Sequence, residues 1–81
     1  MRHLFAAVIA VFVAFGALGA EANVVRKAQE RLMSEGFDPG PVDGVLSWET
    51  RQALKNFQET KRLEQTGRLD APTLAALGIG G

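Results

Sequence analysis

Residues 36–50 read Gly-Phe-Asp-Pro-Gly-Pro-Val-Asp-Gly-Val-Leu-Ser-Trp-Glu-Thr, and no other stretch constrains the fold as tightly. Three of the nine glycines and two of the three prolines lie within it. Proline fixes φ, and glycine reaches φ values closed to other residues, so the segment is built to hold one shape. A helix or a central strand cannot run through it. It can join two helices as a rigid loop, and the flanking sequence supplies them.

Upstream, Asn23 is placed to cap a helix from Val24 to about Glu35. Val25, Ala28 and Leu32 fall on one face at helical spacing, with Val24 and Met33 at its margins. Arg26, Lys27, Glu30 and Arg31 take the other face. Lys27 and Arg31, four apart, read as a solvated stripe rather than a basic site. Gly36 stands where a helix end favours a left-handed residue. Downstream, Ser47 caps a second helix, with Glu49 in the first turn where the helix dipole favours an acid. That helix runs to Lys61 or Arg62. Ala53, Leu54 and Phe57 form its buried stripe, which Thr50 and Lys61 extend. Glu64-Gln65-Thr66-Gly67 reads as a turn. Asp70 then caps a short third helix, Ala71 to Leu77, with Pro72 tolerated in its first turn. Leu74 and Leu77 face inward, Gly78 ends the helix and Ile79 packs back. The expected fold class is all-α, a small three-helix bundle.

The bundle contains a repeat. Gly44-Val45-Leu46-Ser47-Trp48-Glu49-Thr50-Arg51-Gln52-Ala53-Leu54 aligns with Gly67-Arg68-Leu69-Asp70-Ala71-Pro72-Thr73-Leu74-Ala75-Ala76-Leu77 at a constant offset of 23 (44 to 67, 50 to 73). Gly, Leu, Thr, Ala and Leu coincide, and a capping side chain meets a capping side chain. The unit is a glycine turn, an apolar anchor, an N-cap and a helix. Two copies are too few for a solenoid and instead pack two helix starts around one core.

The N-terminus is of another kind. Met1-Arg2-His3 is basic, Leu4 to Phe15 is apolar, and Gly16 to Ala22 is rich in small residues. This is the layout of a secretory signal peptide, residues 1–22, with cleavage expected after Ala22 and alternatives after Ala20 or Gly19. The competing reading is an uncleaved membrane anchor, although Leu4 to Ala20 only just reaches the roughly 17 residues that a span needs. The remaining domain, 23–81, is exported under either reading, to the periplasm or cell surface. With no cysteine it has no disulfide and no thiol chemistry. Nine basic and nine acidic residues give zero net charge, which argues against a nucleic-acid partner and against a polybasic membrane surface. A domain of this size buries only about 60% of its unfolded surface, enough for one core and one site.

Taken in order, Gln29 and Leu32, the loop Gly36-Phe37-Asp38-Pro39-Gly40-Pro41-Val42-Asp43-Gly44, then Thr50, Ala53, Phe57 and Gln58, then Thr66-Gly67-Arg68-Leu69-Asp70, Thr73 and Leu77 resemble the small three-helix peptidoglycan-binding domains found beside bacterial cell-wall hydrolases. The resemblance spans Val24 to Ile79. It departs at Leu46-Ser47, where the family commonly has an aromatic and a glycine, and at Arg62, where it commonly has a glycine. Trp48 lies outside the fixed pattern. The resemblance implies a non-catalytic module that binds the glycan strand, the stem peptide or both without a cofactor; the leader adds export, and the small apolar face of the third helix predicts a monomer. Alternatives are an adaptor that regulates a cell-wall hydrolase, and a truncated remnant of one.

The residues that could meet such a ligand are Trp48, Arg51, Asp43 and Arg68. A tryptophan in the first helical turn beside a rigid loop offers a flat face to a sugar ring and an N–H donor; equally, it could lid the small core. Arg51 and Arg68 can pair bidentately with stem-peptide carboxylates, or serve as ordinary surface cations. Asp43, in an Asp-Gly pair, first of all shapes its own turn. Gln29 and Gln58 lie on or beside apolar stripes, where each amide is expected to satisfy loop backbone groups rather than ligand. Phe37 plugs the core. The single histidine is His3, so the exported domain has neither histidine nor cysteine; the usual zinc sites and the usual base for a serine nucleophile are absent. Asp38, Asp43 and Glu49 have simpler turn and helix-start roles than a carboxylate pair for glycoside hydrolysis. No catalytic residue and no metal site is expected.

Overall fold

The computed structural model describes residues 21–80. The expected leader lies outside the described residues, apart from Glu21 and Ala22. Three helices and no strand are described: α1 over residues 21–34, α2 over Trp48–Thr60 and α3 over Ala71–Leu77. Among the described residues no helix is long and apolar enough to cross a membrane.

The helices bury the expected faces. Ala28, Leu32, Ala53, Leu54, Phe57 and Leu77 form the core, and Phe37, Leu46, Leu69 and Ile79 pack against it from the loops. Phe37 meets Phe57 edge to face, with ring centroids 5.8 Å apart and planes at 88°. Such a pair adds about 1 kcal/mol beyond its area burial. This aromatic contact is one of the places where the loop docks on α2.

Three details differ from expectation. Asn23 is not a cap but lies inside α1, because Glu21 and Ala22 are themselves good helix formers and are already helical. Met33 is 54% exposed, beyond the edge of the apolar face. Lys61 does not extend the stripe of α2. It follows the helix end, is exposed, and holds its ammonium 5.6 Å from the Phe57 ring centroid.

All three helices end alike. Gly36, Arg62 and Gly78 are left-handed, with φ of 92°, 59° and 74°. In each case the next residue, Phe37, Leu63 or Ile79, donates its N–H back across the turn, to Leu32, Gln58 and Leu74 respectively. This 6→1 bond satisfies carbonyls that a helix end leaves orphaned. Only the middle helix does so without glycine.

Candidate functional site

Two buried glutamines set the shape of the surface. Gln29 is fully buried on α1 and reaches into the long loop. Its Nε2 donates to the Val45 carbonyl (2.9 Å), the Thr50 hydroxyl (3.0 Å) and, more loosely, the Asp43 carboxylate (3.4 Å). Its Oε1 accepts from the N–H groups of Asp43 (3.0 Å) and Gly44 (2.9 Å). Gln58, equally buried on α2, repeats the pattern in the short loop. Its Nε2 donates to the Arg68 carbonyl (3.1 Å) and to the hydroxyls of Thr73 (2.9 Å) and Thr66 (3.0 Å), and its Oε1 accepts from Gly67 N–H (2.9 Å). Both amides therefore satisfy loop groups, as buried polar groups must.

The loop that Gln29 holds presents three exposed apolar side chains within seven residues: Val42, Val45 and Trp48. Trp48 is 72% exposed, so it does not lid the core. It is the first residue of α2, directly after Ser47, whose hydroxyl accepts the Thr50 N–H (3.2 Å). Arg51 lies one turn on, on the same face of the helix. Its Nε donates to the Leu46 carbonyl (3.4 Å). Asp43 is exposed, and its carboxylate accepts from Val45 N–H (2.9 Å), which closes the turn. Asp38 does the same for Gly40 N–H (3.0 Å).

Arg68 sits elsewhere. It borders a groove of about 800 Å³ between the start of α1 and the two loop ends, walled by Val24, Val25, Leu46, Leu69 and Leu74. Glu21 and Asp70 supply its acids. Trp48 and Arg51 are not part of its wall, so the four candidate residues do not share one pocket. Leu46 connects the two places, since it walls the groove and its carbonyl holds Arg51. The sequence reading missed the groove. The signal was present, because Leu46 and Leu69 occupy equivalent places in the repeat.

Asp70 stands at the N-cap position of α3 but makes no side-chain bond to a helix N–H. Its carboxylate accepts instead from the hydroxyls of Thr73 and Thr66, which hold its pKa below the ordinary aspartate value. Among the described residues, no group of three or more His, Cys, Asp or Glu could hold a metal ion.

The family model of a peptidoglycan binding domain matches residues 21–77, and the chain belongs to that family. A spore cortex-lytic enzyme of Bacillus cereus is 46% identical over 55 residues, which are 68% of this chain and 21% of that enzyme. The carboxy-terminal processing protease CtpB of Bacillus subtilis is 38% identical over 53 residues, 65% of this chain and 11% of the protease. This chain thus spans about a fifth or less of the length of these curated relatives. No solved structure gave a significant match.

Proposed function

We propose that this member of the peptidoglycan-binding family is an exported, non-catalytic module that holds the bacterial cell wall through the exposed start of α2. The observation that carries the reading is Trp48. A large apolar ring is left in solvent, yet its backbone is fixed by the Ser47 cap and by the loop that Gln29 ties down. Exposed aromatic faces on rigid backbone are where binding energy concentrates. The matching segment is a minor part of a protein named as a cortex-lytic enzyme, which fits a module that raises an enzyme's effective concentration at the wall. Binding needs no cofactor, and the module acts as a monomer in the periplasm or at the cell surface.

The test is co-sedimentation of the exported protein with purified wall sacculi. The parent should pellet with the sacculi, and Trp48→Ala should weaken binding about tenfold, or ~1.4 kcal/mol. The thermal midpoint should hardly move, because an exposed side chain contributes little to stability. If the folded parent stays in the supernatant, direct wall binding fails. The adaptor reading, in which this surface meets a hydrolase, then takes its place.

A further inference from the structure

We infer that the groove beside Arg68 receives the stem peptide of peptidoglycan, with a peptide carboxylate on the Arg68 guanidinium. This rests on the wall-binding reading and names the part of the wall that this second place recognises.

Three observations carry it. The first is size. About 800 Å³ lies within the roughly 300–1,000 Å³ of small-ligand sites. The second is the wall chemistry. Val24, Val25, Leu46, Leu69 and Leu74 are aliphatic, and among the described residues no aromatic ring lines the groove. A sugar ring is gripped by flat aromatic faces and by polar groups that reach its hydroxyls. Branched aliphatic walls instead suit the methyl groups of a short alanine-containing peptide.

The third is the state of the charges. Arg68 is exposed, and among the described residues its guanidinium has neither a hydrogen-bond nor an ion-pair partner. Its backbone, however, is held on both sides. The carbonyl accepts from Gln58 (3.1 Å) and the N–H donates to the Thr66 hydroxyl (3.1 Å). The arginine is therefore anchored at its base with its fork unused, a geometry suited to bidentate carboxylate binding. Its nearest acid in sequence, Asp70, accepts from Thr66 and Thr73 and so keeps its charge, within electrostatic reach of Arg68. That carboxylate would repel an acid placed beside it but attract an amine, whereas Glu21 lies within the expected leader and is lost on cleavage after Ala22. A stem peptide carries both groups, an amine on its diamino acid and a carboxylate at its end.

The experiment compares intact sacculi with sacculi stripped of stem peptides by an amidase, using the exported full chain. Soluble stem peptide, with a free or an amidated C-terminus, serves as competitor. Stripped sacculi should retain at least tenfold less protein. The free-acid peptide should displace protein from intact sacculi about tenfold better than the amidated one. Arg68→Gln should erase that preference with an unchanged thermal midpoint, and Arg68→Lys should restore part of it. Equal binding to intact and stripped sacculi, or an Arg68→Gln protein that still prefers the free acid, overturns the groove assignment and leaves wall binding standing. Binding to neither form removes both readings.

Discussion

The two loop-helix units of this bundle solve one packing problem with different chemistry. In each, a buried glutamine from the preceding helix reaches the turn glycine, the carbonyl after it and the first-turn threonine of the next helix. The bonds correspond at the offset of 23: Val45 O with Arg68 O, Gly44 N–H with Gly67 N–H, and Thr50 with Thr73. The residue before each glycine also matches, since Asp43 accepts from Val45 N–H as Thr66 accepts from Arg68 N–H. The units diverge in loop length and in what the threonine hydroxyl meets. Gln29 and Gly44 are 15 residues apart, Gln58 and Gly67 only 9. The extra residues bring buried Pro39, whose carbonyl accepts the Thr50 hydroxyl at 2.7 Å. The short unit has no such carbonyl, and the Asp70 carboxylate takes the Thr73 hydroxyl instead. A longer loop thus supplies a neutral acceptor and an exposed apolar surface. The shorter one substitutes a charge.

The largest effect should come from removing the two hubs. Gln29→Leu and Gln58→Leu each leave several loop groups without a partner, at a cost on the order of 3 kcal/mol or more. Gln29, with one bond more, should be at least as costly. For a domain of marginal stability this brings the denaturant midpoint close to zero. A loss below about 1 kcal/mol at either position would show that the turn keeps its shape without the amide, and the equivalence of the units would fail.

A smaller effect should separate the units by pH. The folded-state pKa of Asp70 is lowered, first by Thr73 and then by Thr66. Its contribution is therefore present above the ordinary value of 3.8 and is lost as pH falls through the lower folded value. Thr50→Val and Thr73→Val should each cost about 1–2 kcal/mol at neutral pH. Only Thr73→Val should flatten the decline in stability below about pH 4, because the acceptor of Thr50 is a carbonyl that does not titrate. Thermal midpoints across pH 2–7 read both arms. Identical acid profiles for the two variants would deny the distinction.

The smallest expected change concerns the helix ends. Arg62 holds the left-handed place that glycine fills at residues 36 and 78. Arg62→Gly relieves that strain but adds unfolded-chain entropy, so the net gain should be only about 0.5–1 kcal/mol by chemical denaturation. A loss instead would mean that the arginine side chain contributes something its backbone conformation conceals.

Much of this was legible in the order of residues. Gly36 and Gly78 mark helix ends, Ser47 marks a helix start, and Leu32, Leu54, Phe57 and Leu77 mark the core, because each depends on local geometry or on a helical period. The glutamines could be read as loop-satisfying groups, since a polar side chain on an apolar stripe needs partners. Asp70 misled in part. Its position is that of a cap, but the partners of its carboxylate depend on Thr66 and Thr73 converging in space. Asn23 misled more simply, because a capping residue caps only where a helix begins.

The sequence by itself determined the three helices, the rigid loop and the repeat, since these follow from backbone preference and spacing along one dimension, and its motifs resemble those of the family to which the chain belongs. Only the tertiary structure decided that Trp48 stands in solvent, that Arg68 and not Trp48 borders a groove, and that Leu46 and Leu69 wall it together with the start of α1. Those facts concern which surfaces meet after three helices pack, and exposure of a side chain is fixed by neighbours distant in the chain.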